Sequence, residues 1–504
     1  MDDDAKSDTR PLVKVYHENC PGCKQEQKNE VHRGVPYRDF IFIWIVSLCS
    51  ALPISSLFPF LYFMIRDLHI AKTDEDIGFY AGFIGSSFMI GRALTSIFWG
   101  VVADRRGRKP VIVISIFSVM VFNTLFGLST SYWMAIISRA LLGCLSGLLG
   151  PIKAYASEVC RKEYQALGLS LVSTSRAIGL IIGPAIGGYL AQPAEKYPNV
   201  FSKDSLFGRF PYFLPCLCIS LVAAVALVTC LWLPETLHMH HEKIDDLEGS
   251  LFGYEAKETS DETEETMLEA KQSLIRNWHL ISAITVYCVF ALQDMAYSEI
   301  FSLWAVSSKI SGGLSFSSKD VGEVLAISGS ALAGIVASYF VNNLNMLICF
   351  SLLMYQLFLY PLLEKYLGPI PSTRVAAILS IPLLTSYPFM SKLSGFLLLL
   401  VVNCASFLKN ISSVTIITGC NILQNNAVSQ HQRGAANGIS VTAMSVFKAV
   451  APAGGGALFS WSQKRQQAFF LPGDHMVFFT LNVVTAIGLM LTMKPFLTQP
   501  SSKN

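Results

Sequence analysis

Seven charged side chains fall deep inside long apolar runs of this chain, away from their ends: Arg92, Arg139, Arg176, Asp294, Glu299, Lys409 and Lys448. Charge in hydrocarbon is expensive, roughly 2.5–3.5 kcal/mol for an Arg, Lys or Asp at mid-bilayer on insertion scales. Such residues therefore face protein, water or a ligand. The cationic majority argues for a ligand bearing carboxylates, with Arg92, Arg139, Arg176 and Lys448 as candidates to line its cavity. Neutralising helix ends or snorkelling is the competing use for these cations. Asp294 and Glu299 lie five residues apart, about 140° around a helix, so they do not share a face. One is expected to line the cavity and the other to pair with a cation. A carboxylate in a low-dielectric site can exchange a proton at physiological pH, which makes both candidates for proton coupling.

A second constellation lies near the N-terminus. His17-x2-Cys20-Pro21-Gly22-Cys23 has the spacing of half a zinc site, with Pro-Gly supplying the turn that converges two thiolates. His238, His240 and His241 follow Pro234-Glu235-Thr236 at the end of an apolar run. Together these residues are expected to complete a tetrahedral Cys/His site for a regulatory zinc that couples the tail to the central loop. An unligated tail is the competing expectation, and no other cofactor is called for.

The elements that must position these groups are membrane helices. The chain has 504 residues, 52% hydrophobic and 14% charged, against about 25% charged in a soluble protein. Apolar segments of roughly 20 residues, enough to cross a hydrocarbon core of about 30 Å, occur near 40–65, 77–102, 110–128, 132–154, 167–191, 211–233, 279–306, 321–343, 374–391, 396–420, 434–460 and 473–494. That gives twelve spans of an all-α membrane protein. The polar first thirty-odd residues have no apolar core of the kind a cleavable signal requires. A net charge of +3 spread over loops does not suggest nucleic acid. Gly-x-Ser-x-Gly, His-Glu-x-x-His and phosphate-loop motifs are missing, which disfavours an enzyme.

Four cations between Arg105 and Lys109 mark their loop as cytosolic by the positive-inside rule. Twelve spans then place both termini and the central loop on that same side. The reading divides into a cytosolic tail (1–37), a six-helix bundle (38–233), an acidic linker (234–278), a second six-helix bundle (279–494) and a C-terminal tail (495–504). Between Glu242 and Glu269 the linker carries eleven Asp or Glu against two Lys, a composition that stays solvated. The second half is longer than the first, and the surplus maps to 333–352. It reads either as an insertion, such as an unspliced intron, or as a long tilted eighth helix.

Gly100-x3-Asp104-Arg105-x-Gly107-Arg108-Lys109 resembles the signature loop of the major facilitator superfamily. Gly100 is expected to allow close helix approach, Gly107 a tight turn, and Asp104 to accept hydrogen bonds from a helix N-terminus or an Arg. Ser170-x8-Gly179-x3-Gly183-Pro184-x2-Gly187-Gly188 resembles that superfamily's antiporter motif. Its glycines, spaced by four, leave one helix face bare for packing, and Pro184 adds a kink.

With Cys-Pro-Gly-Cys, the Pro-Glu-Thr-Leu-His-Met-His run at 234–240, and Gln432-Arg433-Gly434-Ala435-Ala436-Asn437-Gly438, the chain resembles the plant zinc-induced facilitator-like family. The resemblance implies a major facilitator fold of two six-helix bundles and a monomeric, proton-coupled antiporter in the vacuolar or plasma membrane. Its substrate would be a metal chelator of nicotianamine or mugineic-acid type, which bears on zinc and iron homeostasis. Potassium or auxin-anion transport is the alternative the family allows. A nontransporting metal sensor is a further one.

Overall fold

The computed structural model describes residues 16, 20–31, 34, 36–161, 164–237, 274, 276–327, 355, 359–428 and 432–498. The expected linker core, the 333–352 segment, His17, His238 and His240 lie outside these. The described residues fold into helices: α1 (Pro21–Val31), α2 (Tyr37–Ser55), α3 (Phe58–Asp67), α4 (Ile77–Arg106), α5 (Arg108–Gly127), α6 (Tyr132–Leu145), α7 (Leu149–Glu158), α8 (Gln165–Leu190), α9 (Pro193–Lys196), α10 (Leu206–Arg209), α11 (Phe213–Cys230), α12 (Trp278–Val306), α13 (Ser318–Ile327), α14 (Tyr360–Leu367), α15 (Pro369–Met390), α16 (Gly395–Asn426), α17 (Arg433–Gln463) and α18 (Asp474–Leu491). Among the described residues, nine helical segments are long and apolar enough to cross a membrane. Helices α8 and α15, of 26 and 22 residues, continue the same up-and-down course. Of the expected eighth span, α13 is the described beginning.

In the first half α2 packs on α8 and α11, α4 on α6, and α5 on α11; in the second, α12 packs on α16 and α18, and α15 on α16 and α18. Two seams join the halves, α4 against α17 and α8 against α13.

Two expected spans are broken. The first is split at Ser56–Leu57, just after Pro53, whose ring removes a donor and disturbs the preceding turn. Arg139 donates from Nη1 to the Pro53 carbonyl at 2.8 Å, so a buried backbone acceptor stays satisfied. The fourth is split at Ser146–Leu148. There Trp99 Nε1 and Thr95 Oγ1 donate to the Cys144 carbonyl at 2.6 and 2.7 Å, and Ser115 Oγ bridges the Leu145 carbonyl and the Gly147 amide.

Candidate functional site

The face that carries the Arg105–Lys109 loop, here the basic face, is organised by one carboxylate. Gly107 has φ +108°, a left-handed geometry in which a side chain is strained, and a Cβ there would strike the Glu235 carboxylate. That carboxylate accepts the Arg108 and Lys109 amides at 2.9 and 3.1 Å, capping the first turn of α5, where unpaired donors and the helix dipole favour an anion. Asp104 pairs with Arg108, which also reaches Glu158 at 3.3 Å. Thr236 donates to Glu158 at 2.6 Å. The loop thus ties α4, α5, α7 and the segment after α11 within one bundle, and Arg105 stays exposed.

Gly100 differs from expectation: a Cβ there would meet nothing within 4 Å. The tight approaches on α4 are made nearer its start, where Gly78 and Gly82 press on Gly456, Pro452 and Ala453 of α17. In α8, Gly179, Gly183 and Gly187 sit against the backbone and small side chains of Leu48, Ala51, Ser55 and Ser56, so the bare face is a packing face. Gly188, on another face, meets Gly322 of α13. The Ser170 side chain lies outside the description.

Toward the opposite face the halves are latched. Tyr189 donates to Glu323 at 2.6 Å, and Lys196 donates to Ser318 Oγ at 2.7 Å and to the Gly188 carbonyl at 2.5 Å. Lys464 pairs with Asp76 at 2.5 Å, and Ser460 and Ser86 bond the Phe79 and Ala453 amides. At mid-helix, Arg92 donates to Ser445 at 3.2 Å. Among the described residues, hydrogen bonds between the halves lie at this level or beyond it, toward the opposite face. The molecule is shut there.

Between latch and basic face lies an unbalanced cluster of charge. Arg92, Arg176 and Lys448 act electrostatically on one another, Lys153 is coupled to Arg176, and Lys448 also senses Asp294 and Lys409. Asp294 is the carboxylate of the group, and it is engaged. Lys409, 2% exposed, bonds it at 2.5 Å, Ser413 bonds it at 2.8 Å, and the Lys409 ammonium sits 4.0 Å from the Tyr297 ring centroid. Among the described residues, Arg92, Arg176, Lys153 and Lys448 have no carboxylate ion-paired to them.

Arg139 stands apart from this cluster. It is buried between the Phe88 and Phe126 rings, 5.2 and 5.3 Å away, while holding Pro53. Glu299 turns away from Asp294 on α12 and lies against Gly85 and Pro452 at the α4–α17 seam. It is 1% exposed, and among the described residues neither carboxylate oxygen has a hydrogen-bond partner. Its nearest charged influence is Arg139.

Helix α1 docks on the basic face. Its Gly22 amide bonds the Leu237 carbonyl at 3.2 Å, Gln25 bonds Val159 O at 3.1 Å, and Asn29 bonds Glu158 O at 3.2 Å. Cys20 and Cys23 are buried in this contact. Among the described residues, no group of three His, Cys, Asp or Glu is placed to hold a metal ion.

Helical halves of membrane-spanning length meet along two seams and are shut at one face around a charged centre, the architecture of a membrane transporter. The Major Facilitator Superfamily profile matches residues 43–452. A D-xylose–proton symporter shares the fold with TM-score 0.65 and 13% identity, covering 92% of this chain and 98% of that one. The zinc induced facilitator 1 protein of Arabidopsis thaliana is 56% identical over 96% of each chain. A probable peptide/nitrate transporter of the same plant is 58% identical over 98% of this chain and 99% of the relative. The chain belongs to the major facilitator superfamily and, within it, to the zinc-induced facilitator-like family. It is a multi-pass membrane transporter of small molecules and not an enzyme.

Proposed function

We propose that this chain is a proton-coupled antiporter that exports a small, carboxylate-bearing metal chelator of nicotianamine or mugineic-acid type from the cytosol, and so acts on zinc and iron homeostasis. The observation that carries the reading is the run of cations Lys153, Arg176, Arg92 and Lys448, which reaches, through Lys448, an Asp294 already held by Lys409 and Ser413. Unlike-signed charges about 4 Å apart attract by roughly 4 kcal/mol at an effective dielectric of 20. A ligand with several carboxylates would replace the mutual repulsion of these cations by attraction.

The basic face is assigned to the cytosol by its Arg and Lys content. The shut state is then one that accepts substrate from the cytosol, and the protein works as a monomer in the vacuolar or plasma membrane. Proton coupling is assigned to Glu299 and Asp294. Glu299 fits a group that is neutral in this state, because a carboxylate buried without hydrogen bonds is costly when charged. Rocking of the halves would bring it nearer to or farther from Arg139 and change its proton affinity.

Efflux of labelled nicotianamine and of a mugineic acid from oocytes expressing the full chain tests this. Efflux above control that grows with an inward proton gradient is expected. Surface-expressed protein with no efflux of either would overturn the chelator reading in favour of a potassium or auxin-anion substrate.

The docking of Gly22 on Leu237 favours a second reading, a regulatory zinc held by Cys20 and Cys23 together with histidines near residue 238. Purified chain should then carry one zinc by elemental analysis, lost in Cys20→Ser/Cys23→Ser without loss of helical folding. A zinc-free parent protein purified without chelator would end it.

A further inference from the structure

A cavity of about 350 Å³ opens between α1 and the start of α2, well away from the central charge cluster. Its volume falls in the range of small-molecule sites, about 300–1,000 Å³. Lys28, Arg38 and Arg161 contribute three cations to its wall, and Asp39 contributes one carboxylate. Asp39 is buried and paired with Lys28 at 3.5 Å, which leaves Arg38 and Arg161 to hold an anion. Each guanidinium offers five N–H donors in a planar fork that matches phosphate oxygens.

The surroundings place this cavity at the edge of the bilayer. Tyr37, on its rim, is 72% exposed, Ile41 one turn further along α2 is 56% exposed, and Val31 at the end of α1 is 81% exposed. Large apolar side chains bare to that degree at the end of a membrane helix are suited to lipid. A cationic cavity directly beside them lies at headgroup level, where anionic lipids of the cytosolic leaflet concentrate negative charge.

We propose that this cavity binds the phosphate-bearing headgroup of an anionic lipid. The assignment to the cytosolic leaflet rests on the orientation given above; the cavity's affinity for a phosphate ester does not. Its walls come from α1, from α2 and from the turn after α7, so a bound headgroup bridges the docked tail to the N-terminal bundle.

The test uses the full chain purified in detergent, where both faces are accessible, so a wrong orientation leaves the result unchanged. Thermal unfolding is followed with water-soluble dioctanoyl phosphatidylinositol phosphate, with inositol trisphosphate and with dioctanoyl phosphatidylcholine. A saturable upward shift with the phosphoinositide is expected, with half-saturation at least tenfold weaker in Arg38→Gln/Arg161→Gln. It should be unchanged in Lys24→Gln/Arg106→Gln, which removes equal charge elsewhere on the face. Arg38→Lys/Arg161→Lys, which keeps the charge but loses the fork, should retain part of the shift and guards against a folding defect in the Gln pair. An equal shift with inositol trisphosphate would support the site while assigning its phosphate to a soluble source. No shift with either phosphate compound, or the same shift in the Arg38→Gln/Arg161→Gln chain, overturns the proposal.

Discussion

Gly188 of α8 and Gly322 of α13 face each other so closely that a Cβ on either would lie 2.7 Å from the other's Cα. Close packing of this kind is available only to residues without side chains, and here it brings the two halves together at the opposite face. Gly322→Val should reach the membrane yet transport at least tenfold less, because the shut state no longer forms. A cysteine placed at Ser445 should then react faster with a bulky thiol reagent applied from the opposite face than it does in the otherwise unmodified chain. Equal labelling would show that the contact is not the gate.

Glu235→Ala removes the cap over Gly107 and leaves the Arg108 and Lys109 amides without their acceptor. Loss of a helix cap costs about 0.5–2 kcal/mol, and a partly buried carboxylate at a helix start falls toward the upper end. Lower thermal stability in detergent is expected, with Glu235→Gln intermediate because it keeps one acceptor oxygen. Stability equal to the parent would remove Glu235 from the loop's support.

Asp294→Asn leaves the Lys409 ammonium buried beside a neutral amide. Breaking one side of a fully buried pair costs about 3–5 kcal/mol; here Lys409 is buried and Asp294 half-buried, so a smaller loss and reduced surface expression are expected, with partial recovery in Asp294→Asn/Lys409→Met. If Asp294 also carries the proton, the recovered double variant should show counterflow exchange but no uphill transport. Uphill transport in that variant would take Asp294 out of coupling.

Glu299→Gln should behave differently. Among the described residues neither carboxylate oxygen is bonded, so an amide of the same shape removes no hydrogen bond, and expression should match the parent. Dependence of transport on the proton gradient should disappear. If the dependence survives, Glu299 is a packing residue of the seam.

Lys196 makes one part of the latch pH-sensitive in an unusual range. Burial pulls its ammonium down to about 8, although Asp320 opposes the shift. A lysine freed into solvent titrates near 10.4, so the latched state binds fewer protons between these values. Raising pH from about 8 to 10 therefore favours latching through this residue, while between pH 5 and 7 it is protonated in both states and contributes no dependence. Labelling at Ser445→Cys from the opposite face, taken relative to a solvent-exposed cysteine to remove the rise in thiolate with pH, should fall across the alkaline window, and the fall should vanish in Lys196→Met. A slope at pH 5–7 that disappears in Lys196→Met would contradict this account.

Much of this arrangement is legible in the sequence because lipid punishes exceptions. Apolar runs mark the helices, and Asp104 and Arg108, four apart, announce their pairing. The five-residue offset between Asp294 and Glu299 gives them separate surroundings, as the helix period requires. Other features depend on contacts far along the chain. Glu235 reads as part of a Pro-Glu-Thr run, and its partners lie 127 and 126 residues away. Lys153 falls near the end of an apolar run, where a lysine reads as a snorkelling cation, and only the α6–α7 break and the facing Arg176 give it a place in the cluster. Arg139 has the same sequence credentials as Arg92 and Arg176, yet the gap after Pro53 claims its guanidinium. The short side chains of Ser56, Ser146 and Gly147 mark the helix breaks weakly, since all are also common inside membrane helices.

Between described residues, α1 bonds the first half at Asp39, Glu158, Val159 and Leu237. Through these contacts the tail travels with that body as it rocks. Whatever fastens it more firmly strengthens its mooring to that body equally in both access states. Shortening the chain before Tyr37 would on this account change how long the protein survives more than how fast it turns over.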